Sequence, residues 1–296
     1  MVPRESTIRY HLDTLRANTF EEGKGIPGEP VERSPSDRPL NRMSTIDLLR
    51  RVLASQRRIS ARIDRILPSD LRTIGMTDYQ DRILPSRIRR GQCVYDIGGG
   101  KRPHVSGKVK AALSLRVVGL DISPDQLDAA PAGIYDQTVV CDIGRYRGPG
   151  DADLVIASAV LEHVDDIEGA FDGIASLLAR GGEAVMFVPS RNALFARINL
   201  LLPERLKRAA LALTRDEDID SVGFPAYYRR CTPLEFKAMA KERGLEVIST
   251  ELYYMSSYFF SFVPAYLVWR LWILLFRRIN EVQSAESFAI VLRKPR

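Results

Sequence analysis

The sequence predicts an α/β fold: a doubly wound parallel sheet finished by an antiparallel strand pair, with an N-terminal helix and helical insertions. Three observations predict it. Val94-Tyr95-Asp96-Ile97-Gly98-Gly99-Gly100 is an apolar run ending in an acid and three glycines, and one helix-length later Val117-Val118-Gly119-Leu120-Asp121 is a second apolar run closed by an acid. Two further short apolar runs with polar edges, residues 138–143 and 152–158, have the pattern of strands buried on both faces. Near the end, residues 245–250 and 287–292 have the make-up of a closing antiparallel pair.

In chain order, residues 1–40 mix charge, proline and glycine without periodicity, too little apolar surface to offset the entropy of ordering, so a disordered arm is expected there. Residues 41–75 form an amphipathic helical segment. Ser44-Thr45-Ile46-Asp47 has capping-box character, and Ile46, Leu49, Leu53, Ile59, Ile63 and Ile66 recur at helical spacing until Pro68. Its arginines, Arg50, Arg51, Arg57, Arg58, Arg62 and Arg65, read as a solvated face, with a nucleic-acid or membrane face as the alternative.

The domain at 76–296 follows. The first glycines let a chain turn tightly and approach a ligand, and Asp121 is placed for ribose hydroxyls. Ile167, Phe171, Ile174 and Leu178 mark a packed helix, and residues 181–188 a fifth strand stopped by Pro189. Two insertions, 192–230 and 253–283, interrupt it. The first places Leu194, Phe195, Ile198, Leu201, Leu202, Leu206 and Leu211 among Arg197, Arg205, Lys207 and Arg208, a basic amphipathic stretch. It ends in Gly223-Phe224-Pro225-Ala226-Tyr227-Tyr228-Arg229-Arg230, a loop expected to close over the substrate side. Thr232 and Glu235 then form a second capping pair.

The second insertion contains 259–278, an aromatic and aliphatic run with Pro264 early and Arg270 central. A spanning helix needs about 20 mainly apolar residues, so the reading is a helix lying in a membrane interface, with Trp269 and Trp272 at the boundary and Arg270, Arg277 and Arg278 reaching phosphates. Packing on the first insertion, or on a second copy as a homodimer, is the alternative.

A chain of 296 residues that is 45% hydrophobic can bury a full core. Cys93, Cys141 and Cys231 lack C-x-x-C spacing and read as free thiols of a reducing compartment, which makes cytoplasm the default. His11, His104 and His163 show no ligand spacing, so no histidine-based metal site is proposed. The first thirty residues hold no apolar stretch of a cleaved secretory signal. A net charge of +6 favours anionic partners without choosing among them.

Asp96-Ile97-Gly98-Gly99-Gly100, Asp121, Cys141-Asp142-Ile143 and Leu161-Glu162-His163 after Ser158, four segments in register over residues 76–296, resemble the class I S-adenosylmethionine-dependent methyltransferases. The chain is most similar in character to a bacterial subgroup with hydrophobic insertions associated with glycan or lipid-linked biosynthesis, through Leu202–Arg208 and the Phe224–Tyr228 loop. The resemblance implies a Rossmann-like sheet and S-adenosyl-L-methionine as cofactor. Asp96 would orient the methionine ammonium and the backbone of Gly98, Gly99 and Gly100 would face methionine and ribose. Asp121, with Ile122 beside it, would bind the ribose diol, Asp142 the adenine amino group and Ile143 the ring, with Ser158 closing the fourth strand. The glycine loop lacks the residue between glycines that is common in the family, and a dinucleotide dehydrogenase is the competitor, though G-x-G-x-x-G is absent.

His163 is the candidate base for a hydroxyl acceptor, or else a structural residue of the following helix; Tyr227, Tyr228 and Arg230 are candidates for acceptor binding. Ser158-Ala159-Val160-Leu161 stands where DNA-base methyltransferases often carry Asn/Asp-Pro-Pro-Tyr/Phe, so nucleic acid ranks below a small-molecule or lipid-linked acceptor. The function expected is O-methylation of a glycan, lipid-linked or other small hydroxyl by a cytoplasmic protein held peripherally at the inner face of a membrane. A quinol or phenol acceptor is the alternative, and so is a non-catalytic subunit that binds cofactor and docks a partner.

Overall fold

The computed structural model describes residues 45–201, 225–256 and 258–296. The expected arm at 1–40 and the Leu202–Arg208 segment lie outside them. One seven-stranded sheet organises the rest, in the order β3-β2-β1-β4-β5-β7-β6. The strands are β1 (Cys93–Ile97), β2 (Arg116–Asp121), β3 (Gln137–Val140), β4 (Ala152–Ser158), β5 (Leu178–Pro189), β6 (Glu246–Tyr253) and β7 (Ser287–Arg293). The first five run parallel, and β7 lies antiparallel between β5 and β6. This is the expected α/β, Rossmann-like fold with its final antiparallel pair. β1 and β4 are buried almost throughout because helices cover both faces, which is why their sequences are continuous apolar runs.

Two strands depart from the expected bounds. β3 ends at Val140 rather than running to residue 143, because the Asp142 carboxylate accepts the Gly144 N–H at 2.9 Å and the chain turns there. β5 begins at Leu178 rather than Gly181, since Leu178 pairs with Ala152 and the register shifts between Ala152 and Leu154. Gly181, at φ +83°, takes up that irregularity inside the strand instead of starting it.

Helix α1 (Thr45–Asp64) is followed by a short helix α2 (Gly75–Asp78), which runs into a π turn at Tyr79–Ile83. Between strands lie α3 (Gly107–Leu113), α4 (Pro124–Asp128) and α5 (Ile167–Leu177). After β5 come α6 (Leu194–Leu201) and α7 (Pro233–Glu242), then α8 (Val263–Ile279) between β6 and β7. The start of α7 is the capping pair read from sequence: Thr232 Oγ1 accepts the Glu235 N–H and donates to its carboxylate at 2.7 Å.

The core has two main parts, one per sheet face. Phe171, Ile174 and Leu177 of α5 pack with Phe236 and Met239 of α7 on one face; Tyr79, Ile83 and Leu84 pack on the other, where the Tyr79 hydroxyl donates to the Val185 carbonyl at 3.1 Å. A third cluster gathers Leu71, Tyr254, Tyr266, Trp269 and Ile273 around α8.

That cluster corrects the orientation expected for Trp269 and Arg270 of α8. Trp269 is 0% exposed and Arg270 4% exposed, so neither reaches an interface from where it stands. Arg270 lies in the protein because Asp64 of α1 meets it: Asp64 Oδ1 accepts from Arg270 Nε at 2.8 Å and also from the Tyr266 hydroxyl. Arg270 also donates to the carbonyls of Leu71 and Tyr254, at 3.1 and 3.2 Å. Trp272 is partly covered, with the Arg197 guanidinium 5.6 Å over its ring, and Arg277 is held by Asp70 and Glu281. Among the described residues no helix is long and apolar enough to cross a membrane.

Candidate active site

In a doubly wound sheet, ligands bind outside the carboxyl ends of the strands where the strand order reverses, here between β1 and β4. The sequence-predicted residues converge on that edge. Asp96 is the penultimate residue of β1 with the glycines directly after the strand, Asp121 ends β2, Asp142 follows β3, and His163 sits in the 3-10 turn Leu161–His163 after β4.

The glycine loop passes so close to both acids that side chains would not fit. A Cβ on Gly99 would fall 2.4 Å from Asp96 Oδ2, and one on Gly100 would fall 3.0 Å from Asp121 Oδ2. Gly98 and Gly100 also hold φ of +69° and +45°. The Asp121 carboxylate is half-buried; its Oδ1 accepts the Ser123 N–H at 2.9 Å. Burial raises its pKa against the backbone hydrogen bonds that lower it, with the Asp96 charge adding to the rise. Ile122 beside it is exposed, whereas Ile143 is buried in the core and Ser158 turns its hydroxyl toward the Met76 sulfur at 3.7 Å.

Asp96 has its partners inside the protein. Oδ1 lies 2.6 Å from His104 Nδ1, while Oδ2 accepts the His104 N–H at 2.9 Å and the Tyr135 hydroxyl at 3.3 Å. Burial works against a charged His104, yet the hydrogen bond and charge of Asp96 hold its pKa above the ordinary value. Asp96 thereby pins residues 100–104 over the end of β1. Sequence reasoning set His104 aside for want of metal spacing and took His163 as the one histidine at this edge; the structure places both there. The signal available was an imidazole eight residues beyond the acid, on the far side of three glycines.

On the β4 side, His163 Nδ1 is 3.1 Å from the Pro225 carbonyl and Nε2 is 3.8 Å from Glu162 Oε1. The Glu162 carbonyl accepts the N–H groups of both Tyr227 and Tyr228, which fastens the 225–231 loop onto the turn. Tyr228 is buried at φ +52° against Ala193 and Ala196; Tyr227 is exposed with the Arg229 guanidinium 6.0 Å over its ring. Arg230 pairs with Glu168 of α5 and, at 3.9 Å, with Glu235 of α7. The loop is therefore brought to the edge, with Arg230 tied outward to the two helices.

Glu162 belongs to the Leu161-Glu162-His163 segment, but its sequence context assigns its carboxyl no role at the site. Its carboxyl is buried and, among the described residues, Oε2 has no hydrogen-bond partner. Burial pushes its pKa up to about 8. Between the ordinary carboxylate range and that value, the folded chain keeps a proton that the unfolded chain has released, so this group makes stability fall as pH rises through the window. Glu162→Gln is expected to flatten that fall and raise the melting midpoint at the alkaline end of a series from about pH 5 to about pH 9. An unchanged pH profile would show the carboxyl to be solvated.

A sheet of this order with an acid-closed glycine loop and acids after β2 and β3 defines a nucleoside-binding α/β domain. A family model described as a methyltransferase domain matches residues 56–250, and the chain belongs to that methyltransferase family, with S-adenosylmethionine as its cofactor. A curated relative, the ubiquinone biosynthesis O-methyltransferase of Cupriavidus pinatubonensis, is 26% identical over 168 residues; the match covers 53% of this chain and 61% of that protein. Among solved structures, phosphoethanolamine N-methyltransferase 2 of Haemonchus contortus with S-adenosyl-L-methionine is similar at TM-score 0.48 and 18% identity, covering 74% of this chain and 53% of that one. A SAM-dependent methyltransferase of Archaeoglobus fulgidus is similar at TM-score 0.47 and 16% identity, covering 74% and 93%.

The residues present fit the cofactor. Gly98 and Gly100 hold the loop in a left-handed backbone that brings it beside the half-buried Asp121 carboxylate, the acid placed for a ribose diol. Among the described residues no cluster could hold a metal ion.

Proposed function

We propose that this chain transfers the methyl group of S-adenosylmethionine to a hydroxyl of a glycan, lipid-linked or other small-molecule acceptor at the face of a membrane. The observation that carries the choice of oxygen is His163. A carbonyl can only accept, so the contact with Pro225 puts the hydrogen on Nδ1 and leaves Nε2 as a lone-pair acceptor at the site edge. A neutral hydroxyl needs such a base because its proton must leave as oxygen attacks.

Bound S-adenosylmethionine supplies an electrophilic methyl on a sulfonium. The chain's own part is to hold the ribose through Asp121 and keep the loop closed through Asp96 and His104. The proton from the acceptor goes to His163 Nε2. Tyr227 and Tyr228 lie on the loop anchored to the Glu162 carbonyl beside His163, and of the two the exposed Tyr227 is the one that would meet the acceptor. The quinol or phenol reading is favoured by the curated O-methyltransferase relative, and it uses the same base.

The test is transfer of label from methyl-labelled S-adenosylmethionine to membrane lipid extracts, sugars and quinols, with the product's methyl located by mass spectrometry. Label found on nitrogen or carbon would sink the oxygen reading, and cofactor binding without turnover on any of them would favour the non-catalytic subunit. Calorimetry is expected to show binding of S-adenosylmethionine with no competition from NAD. Asp121→Ala is expected to weaken it by roughly 1.5–3 kcal/mol, one charge-assisted hydrogen-bonding group. An unchanged affinity would remove Asp121 from the ribose site.

A further inference from the structure

Methyl transfer leaves unused the outward faces of α1 and α8. On α8, Tyr266, Trp269, Arg270 and Ile273 are buried, while Leu267, Val268, Leu271, Leu274 and Leu275 form an exposed stripe, Val268 at 65% and Leu271 at 58%. Phe262 and Ile279 extend it at both ends. A helix packed on one side ordinarily turns polar residues to water on the other, and a contiguous apolar patch marks an interaction surface. α8 carries no acidic residue and ends in Arg277 and Arg278.

Helix α1 is clamped beside it by the Asp64–Arg270 pair and by the Gln56 side chain, which accepts the Val263 N–H at 3.0 Å. That contact spends Asp64 inward. Outward, α1 exposes Arg51, Arg58 and Arg62 together with Val52 and Ile59, and the turn after it exposes Arg65 and Ile66. The two helices and the turn after α1 thus combine exposed leucines and isoleucines with the positive charge of Arg51, Arg58, Arg62, Arg65 and Arg278, whereas Arg277 is paired with Asp70 and Glu281.

Their place in the fold connects them to the site. β7 is antiparallel to β5 and pairs Ser287 with Pro189, and β6 pairs Tyr253 with Ser287. The β6–β7 connection that contains α8 therefore leaves and re-enters the sheet at the carboxyl edge, the edge that holds Asp121 and His163.

We infer that α1 and α8 form a docking platform for an anionic lipid surface and present the site edge to an acceptor held in that surface. Charge complementarity selects this occupant. Anionic headgroups take the arginines while the acyl boundary takes the apolar stripe. An isologous second copy would instead set like arginine faces together. The acceptor half rests on the function proposed above; the docking half stands without it.

Flotation of the full chain tests it, with vesicles of mixed phosphatidylcholine and phosphatidylglycerol against pure phosphatidylcholine. The chain is expected to float with the mixed vesicles and to be released as salt rises. Leu267→Glu with Leu271→Glu is expected to lower partitioning about tenfold or more. Arg58→Ala with Arg62→Ala and Arg65→Ala is expected to lower it on anionic vesicles alone. Cofactor binding by calorimetry stays at the parent level in both, which separates loss of docking from loss of the methyltransferase site. If the leucine variant fails to fold, the arginine variant decides. The inference is overturned by a parent chain that stays unfloated at low salt, by variants that float like it, or by a dimer that the leucine substitutions disperse without any vesicle binding.

Discussion

Arg270→Ala is expected to destabilise the protein by about 3–5 kcal/mol, the range for removing one partner of a buried ion pair. The side chains are 5% and 7% exposed for Arg270 and Asp64, with nitrogen and oxygen 2.7 Å apart. Truncation leaves the Asp64 carboxylate charged in an apolar cluster and strips hydrogen bonds from the Leu71 and Tyr254 carbonyls. It also removes a cation from above the Trp269 ring, 4.2 Å away. Replacing both partners, Asp64→Leu with Arg270→Leu, is expected to recover most of the loss, because no unpaired charge remains. Urea denaturation of the parent, the single and the double variants measures it. A loss under about 1 kcal/mol for the single variant, the scale of an exposed pair, would show that water reaches the site.

This pair also marks where reading from sequence stops. Asp64 and Arg270 are separated by 206 positions, and no local pattern joins them. From its own residues, α8 is an apolar helix with an arginine in the middle and tryptophans at each side, which is the composition of an interfacial helix. What decides the orientation of Trp269 and Arg270 is an acid on another helix. The sheet was legible because each parallel strand carries its own evidence: a short apolar run, with an acid at or next to its end in β1 and β2, and turn chemistry between. β5 shows the limit even there, since Gly181 and Gly182 look like a boundary while Leu178 continues the strand through its pairing with Ala152. At the site, Asp96, the glycines, Asp121 and His163 could be read because they sit at strand ends in order. His104 and Glu162 could not, because their significance lies in what closes over them: the loop of residues 100–104 for one and the 225–231 loop for the other.

His163→Ala or His163→Gln is expected to lower turnover on a hydroxyl acceptor by about a hundredfold to ten-thousandfold, the range for loss of a general base, with cofactor affinity kept. The geometry gives the imidazole a fixed tautomer. Its Nδ1 hydrogen is engaged at 3.1 Å by the Pro225 carbonyl, the side chain is 35% exposed at the site edge, and Nε2 is left to accept. The Glu162 side chain lies 3.8 Å from Nε2 and its backbone carbonyl holds the Tyr227 and Tyr228 N–H groups, so Glu162 would affect the reaction by positioning the base and its loop. Substituting His163 is therefore expected to lower kcat with KM for the cofactor little changed. Glu162→Gln is expected to lower turnover far less, since the base remains. The measurement is turnover of the parent and the variants, with calorimetry confirming that cofactor binding is retained. Should His163→Gln turn over within a few fold of the parent, His163 serves only to fasten the Pro225 loop, and the acceptor's proton leaves by another route.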